Sequence, residues 1–89
     1  MYGTYSYLLK VILITKGFEE AHSFLIQHSG TDPNLDSGNY EYFVRICHKS
    51  GLEEEACHLL LEMRIKDLEF LDDKLYTEIL SENDMSQEI

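Results

Sequence analysis

Apolar residues recur along the chain at the spacing of one face of an α-helix. One such stripe in the middle of the sequence consists of Tyr40, Phe43, Val44 and Cys47. These positions correspond to i, i+3, i+4 and i+7, which places the side chains on one side of a helix. Three further stripes share this spacing: Tyr5, Leu8, Leu9 and Ile12; Ala21, Phe24, Leu25 and His28; and Ala56, Leu59, Leu60 and Met63. The pattern therefore predicts four amphipathic helices.

Glycine and short polar residues mark the turns between these stripes. Gly17 and Gly51 are expected to end the first and third helices, because glycine tolerates the positive φ of a helix end. The loop from Ser29 to Asp36 is rich in turn-forming residues. After it, Ser37 or Asn39 is expected to cap the third helix with its side-chain oxygen.

The end of the chain predicts a fifth helix and a tail. Asp72 or Asp73 is expected to cap this helix, which runs to about Ser81. Residues 82–89 are polar and acidic, and we expect them to form a flexible tail. The fold class predicted from these elements is all-α.

Comparison of the chain with itself at an offset of about 35 residues reveals an internal repeat. The offset pairs Tyr5 with Tyr40, and it pairs Ala21 with Ala56. Periods of 20–50 residues are typical of stacked helical repeats. The repeat predicts an α-α superhelix, a short α-solenoid of two helical hairpins plus one terminal helix. The predicted boundaries are residues 1–81 for the repeat domain, with repeats at about 5–37 and 38–71 and a partial copy at 72–81.

The second repeat resembles a pentatricopeptide repeat, most closely over residues 40–66 and less closely over 5–37. The resemblance rests on Tyr40, the Lys49-x-Gly51 turn, the Glu55-Ala56 pair and Met63. It implies a solenoid whose first helices line a concave surface. Most characterised members of that family bind single-stranded RNA, with about one base read per repeat.

The resemblance also implies a base-reading position two residues after the tyrosine that begins each first helix. Tyr7 and Tyr42 occupy that position, and Glu78 occupies it in the partial copy, where the family usually has a small polar residue. A tyrosine ring can stack on a base, but the sequence shows no hydrogen-bonding code for bases.

Charge is distributed unevenly between the predicted helices. The chain carries a net charge of −10, which disfavours nucleic acid and anionic membranes as partners of the whole molecule. However, Lys10, Lys16, Arg45 and Lys49 lie on the first helices of the hairpins or at their ends. An acidic outer face is predicted on the second helices, which carry Glu19, Glu20, Glu53, Glu54, Glu55 and Glu62. A concave binding face is therefore predicted at Tyr7, Lys10, Tyr42, Arg45 and Lys49. It could be a groove for RNA or for an acidic peptide, or it could be ordinary helix surface.

Neither catalysis nor metal binding is predicted. Cys47-His48 and Cys57-His58 contain zinc-binding residue types, but neighbours on a helix point about 100° apart and cannot readily share one ion. No nucleophile–base pair or phosphate-binding loop is present, so we expect no catalytic residue, no metal and no cofactor. Two cysteines do not make a disulfide framework, and they favour an intracellular protein with reduced thiols. The cytoplasm is the first expectation, with mitochondrion or nucleus as alternatives.

The first helix has more apolar residues than its core stripe needs. Val11, Leu13 and Ile14 fall outside that stripe, which predicts a second buried surface against an upstream repeat, a second copy or a partner protein. Two histidines, His22 and His28, are expected at the surface or its edge.

The sequence favours a protein-interaction or scaffold module that self-associates or belongs to a larger protein. The alternative is a fragment of an RNA-binding pentatricopeptide-repeat solenoid that takes part in RNA processing. Neither a membrane nor a small-molecule substrate is expected as a partner.

Overall fold

Five helices make up the part of the chain that the structure describes. The structure is a computed structural model that describes residues 2–30 and 32–88, with side chains over 5–30 and 32–81. The helices are α1 (Tyr2–Lys16), α2 (Phe18–Gln27), α3 (Pro33–Lys49), α4 (Glu53–Ile65) and α5 (Asp73–Glu88). These ranges contain no strand, so the predicted all-α class is confirmed. None of the helices in them combines the length and apolarity needed to cross a membrane.

The helices pair into two hairpins, and α5 packs against the second. Gly17 alone connects α1 to α2, and its φ of 99° and ψ of 177° lie in a region that is almost exclusive to glycine. Gly51, with φ of 83°, lies in the turn between α3 and α4. The hairpins meet mainly through α1 and α3, and α5 rests on α4. The shortest dimension, 19 Å, corresponds to about two helix diameters.

One hydrophobic core runs through both hairpins and α5. Leu9 and Val44 are fully buried in the two first helices, and Ala21 and Ala56 are fully buried in the two second helices. Ile79 of α5 is also fully buried. The small alanine side chains allow the helices of each hairpin to approach closely. The largest fully buried side chains are Leu9, Leu25, Val44, Tyr40, Phe43, Cys47, Leu59, Met63 and Ile79.

The buried face of α1 differs from the predicted stripe. Leu13 is 6% exposed and belongs to the core, whereas Leu8 is 43% exposed, so the prediction is wrong at both positions. The reason is that α1 packs on both α2 and α3, which shifts its buried sector towards Leu9 and Leu13. Of the other two surplus residues, Val11 is half-buried and Ile14 is 67% exposed, so neither belongs to the core.

The start of α3 lies earlier than predicted. The helix begins at Pro33, inside the expected loop, and Asp32 is its N-cap, accepting a hydrogen bond from the backbone N–H of Asn34 at 3.0 Å. Proline suits the first helical position because its φ is already helical and a first-turn N–H has no intrahelical partner. Ser37 and Asn39 therefore lie within the helix and do not cap it.

The start of α5 confirms one of the two predicted caps. The Asp72 carboxylate accepts a hydrogen bond from the backbone N–H of Leu75 at 3.1 Å. The backbone is helical to Glu88, so the predicted helix end at Ser81 is too early. The side chains of the expected tail at 82–89 lie outside the described residues.

Candidate functional site

A groove between α1 and α3 contains four of the five residues predicted for the concave face. Its volume is about 210 Å³. Its lining residues are Lys10, Leu13 and Ile14 from α1, together with Tyr42, Arg45, Ile46, Lys49 and Ser50 from the end of α3. The fifth predicted residue, Tyr7, lies one turn before Lys10, is 67% exposed and does not line the groove.

The groove has an apolar floor and a basic rim. Leu13 and Ile46 are 6% and 8% exposed, so they form a largely dry floor. Lys10 and Lys49 are exposed, and neither takes part in an ion pair among the described side chains. This arrangement can hold an apolar side chain while two cations meet carboxylates on either side of it.

Arg45 lines the groove, but its charge is already matched. Its Nη2 lies 3.1 Å from Asp72 Oδ2 and 3.5 Å from Glu41 Oε2. The Glu41 carboxylate also accepts hydrogen bonds from the backbone N–H groups of Leu71, at 2.9 Å, and Asp72, at 3.1 Å. The N–H of Leu75, and next the Arg45 guanidinium, lower the pKa of the Asp72 carboxyl. Arg45 therefore holds the α4–α5 connection against α3 and is not a free cation for a ligand.

A polar contact that sequence reasoning missed joins the two hairpins. Glu62 Oε2 accepts a hydrogen bond from the Tyr40 hydroxyl at 2.6 Å, and Glu62 Oε1 lies 2.8 Å from His22 Nε2. Burial, and next the bond to Glu62, raise the pKa of Tyr40. The prediction that placed Glu62 on the acidic outer face is wrong, because its carboxylate lies at the junction of the two hairpins. No spacing in the sequence signals this contact, because the three residues lie on three different helices.

Stacked rings reinforce the same junction. The Phe18 ring of α2 stacks on the Phe43 ring of α3 with centroids 5.4 Å apart and planes 7° apart. His22 stacks on Phe18 at 5.4 Å, which orients its imidazole towards Glu62. The residues of this junction therefore serve the packing of the two hairpins.

The cysteines and the remaining histidines form no reactive cluster. Cys47 and Cys57 are both free thiols, and burial, with a smaller effect of Glu55, raises the pKa of Cys47 to about 12. His48 is 3.9 Å from Glu78, in contact with α5. Over the described part of the chain, no three His, Cys, Asp or Glu side chains are placed to hold a metal ion.

Comparisons of the chain with protein-family models, with curated proteins and with solved structures find no significant match. The resemblance to pentatricopeptide repeats therefore stays a prediction from the sequence.

Proposed function

We propose that this chain is a protein-interaction module that binds a segment of a partner protein in the α1–α3 groove. The observation that supports the proposal most strongly is the apolar floor of Leu13 and Ile46 between Lys10 and Lys49, which form no ion pair with a described side chain. The groove volume of about 210 Å³ is smaller than the roughly 300–1,000 Å³ of most small-molecule sites. Its size and shape suit a single anchoring side chain of a peptide.

A protein segment fits this groove better than RNA does. Affinity for RNA comes largely from contacts between phosphates and free cations. The pairing of Arg45 with Asp72 leaves Lys10 and Lys49 as the free cations of the groove, within a chain of net charge −10. The apolar floor would contribute nothing to phosphate binding, whereas it would bury an aliphatic or aromatic anchor of a peptide.

The proposal can be tested by selecting displayed peptides on the intact chain and measuring their affinity by calorimetry. We expect peptides selected on the wild-type chain to bind the Lys10→Glu and Lys49→Glu variants at least ~10-fold more weakly than wild type. Each change replaces a cation with a carboxylate, which repels the carboxylates of the peptide. Lys66→Glu is the matched control, since Lys66 is exposed, lies at the end of α4 and does not line this groove.

Two results would contradict the proposal. One is enrichment of the same peptides on wild type and on the Lys49→Glu variant, with circular dichroism showing that both are folded. The other is binding of a uridine-rich single-stranded RNA at ~50 mM salt, weakening steeply with added salt. That second result would favour the RNA-binding solenoid.

The same proposal includes where such a module would work. Cys47 and Cys57 are unpaired, which suits a reducing compartment such as the cytoplasm. Hairpin repeats also stack readily into longer arrays, so the module could serve as one part of a larger scaffold.

A further inference from the structure

The side of α1 that faces away from the core is also apolar. Tyr7 and Ile14 are each 67% exposed, and the half-buried Val11 lies between them at the i, i+4, i+7 spacing of one helix face. Leu8, beside Val11, is 43% exposed. We call these four residues the α1 outer face. It meets the α1–α3 groove only at Ile14, which lines both surfaces.

This face makes α1 apolar on nearly all sides. On the core side, Leu9 is 0% and Leu13 is 6% exposed. Helices that are apolar all round are normally covered on every side, and an exposed apolar patch marks a site of association. The α1 outer face is therefore a surface that a further element would bury.

The second hairpin indicates what kind of element covers such a face. At the offset of about 35 residues, Tyr7, Val11 and Ile14 correspond to Tyr42, Ile46 and Lys49 of α3. In α3 this face is turned towards α1, and Ile46 is 8% exposed there. Within one molecule, then, a helix covers the equivalent position. A helix is accordingly the element that fits the α1 outer face.

The charges of α1 indicate the chemistry of that helix. The segment Tyr2–Lys16 contains two lysines and no carboxylate, although the chain as a whole has a net charge of −10. If two copies of the chain met through this face about a two-fold axis, the Lys10 side chains of the two copies would lie close together. These two positive charges would repel each other, because α1 has no acidic residue to offset them. A partner helix with carboxylates beside its apolar stripe would have no such repulsion.

We propose that the α1 outer face binds an amphipathic helix of a partner protein, with an apolar stripe flanked by Asp or Glu. Tyr7, Val11 and Ile14 contact the stripe. Lys10, which lies beside Tyr7 and Ile14 on the helix surface, meets a flanking carboxylate. This site goes beyond the groove of the proposed function, with which it shares Lys10 and Ile14.

A synthetic helix of about four turns with a leucine stripe flanked by glutamates is the probe, and its binding to the intact chain is measured by fluorescence anisotropy. The comparison peptide has lysine in place of every glutamate. We expect the glutamate peptide to bind at least ~10-fold more tightly at ~50 mM salt, with the difference shrinking at ~0.5 M because salt screens the charges.

Variants of the chain identify the surface that the peptide uses. Tyr7→Glu and Val11→Glu should each lower the affinity for the glutamate peptide at least ~10-fold, because each change places a carboxylate in the apolar contact. Ile65→Glu is the matched control, because Ile65 is 85% exposed on α4, away from this face, and that variant should bind as wild type does. Lys49→Glu changes the groove alone and should also leave this binding unaltered, so failure of one site is distinguishable from failure of the other.

Several results would overturn the proposal. The first is equal affinity for the two peptides. The second is no binding at ~100 μM peptide when circular dichroism shows that the chain is folded. The third is a loss of affinity in Ile65→Glu that equals the loss in Tyr7→Glu and Val11→Glu. A dimer seen by sedimentation equilibrium that Tyr7→Glu dissociates would show that a second copy covers the face. Single-stranded RNA that binds wild type but not Tyr7→Glu would assign the face to nucleic acid.

Discussion

The Glu62 carboxylate joins three helices, and its removal tests whether this contact holds the two hairpins together. Glu62→Ala deletes the acceptor of the 2.6 Å hydrogen bond from Tyr40 and the 2.8 Å contact with His22. Tyr40 is 0% exposed, so water does not readily replace the lost acceptor. We therefore expect a larger loss of stability than a half-exposed glutamate normally causes.

The size of the loss follows from the burial of the partners. A buried hydroxyl left without a partner costs about 1–3 kcal/mol. The contact with His22, whose side chain is 28% exposed, contributes roughly 0–1 kcal/mol. The sum, about 1–4 kcal/mol, is a large share of the roughly 4–13 kcal/mol expected for a chain of this length. Each kcal/mol lost corresponds to a Tm lower by about 4–8 °C.

A double-mutant cycle with Tyr40→Phe isolates the contact. In the Tyr40→Phe background no hydroxyl is left to satisfy, so Glu62→Ala should cost about 1–2 kcal/mol less than in wild type. The free energy of unfolding is measured by urea denaturation followed by far-ultraviolet circular dichroism. His58→Ala, an exposed change on the same helix, is the control and should stay within about 0.5 kcal/mol of wild type. Additivity of the two changes to within about 0.5 kcal/mol would refute the reasoning.

Three further changes test other parts of the fold. Gly17→Ala should lower the free energy of unfolding by about 1–3 kcal/mol, because φ of 99° with ψ of 177° is strained for alanine. The strain lies in the backbone alone, since nothing lies within 4 Å of an added Cβ. Urea unfolding unchanged from wild type would contradict this prediction. Iodoacetamide should modify Cys57 well before Cys47 in the native chain, because Cys47 is fully buried and its pKa is raised to about 12. The rates of labelling are measured by mass spectrometry, and equal rates would contradict the prediction. The folded-state pKa of Asp72 is lowered, so the stability it contributes is present above its unfolded value of about 3.9 and is lost as pH falls through the folded-state pKa. Urea unfolding at about pH 6 and at about pH 2.5 should therefore show a smaller acid-induced loss in Asp72→Asn than in wild type, and an equal loss would contradict the assignment.

Local patterns were sufficient to predict the helices and most of their ends. The 3.6-residue spacing identified the first four helices, and the Asp72 cap of the fifth followed from side-chain chemistry alone. The early start of α3 also had a local signal, since Asp32-Pro33 is a cap followed by a favourable first residue, but a neighbouring run of turn-forming residues obscured it. The burial of Leu13 had no local signal, because it depends on α1 packing against two helices at once.

Several residues of the groove were predictable from the sequence, but the contacts between distant residues that pair the neighbouring side chains were not. Lys10, Tyr42 and Lys49 come together because α1 and α3 pack side by side, and the charges and spacing within these two helices were enough to identify them. The pairing of Arg45 with Asp72 spans 27 residues, and that of Tyr40 with Glu62 spans 22. Such contacts depend on how helices lie against each other, which periodicity within a single helix does not determine.

The two hairpins satisfy equivalent positions to different degrees, and the cation that both proposed sites use is at one of these positions. Tyr40 donates its hydroxyl to Glu62, whereas the buried hydroxyl of Tyr5 has no hydrogen-bond partner among the described residues. Arg45 is paired with Asp72, whereas Lys10, at the equivalent position, is in no ion pair of the described side chains. The partner of Arg45 comes from the connection to α5, whereas the partner of Tyr40 lies on α4 of the same hairpin. Among the described residues, the first hairpin packs against the second hairpin through α1 and α3, and the opposite side of α1 remains exposed at Tyr7 and Ile14. Binding capacity should therefore lie at the α1 end of the molecule.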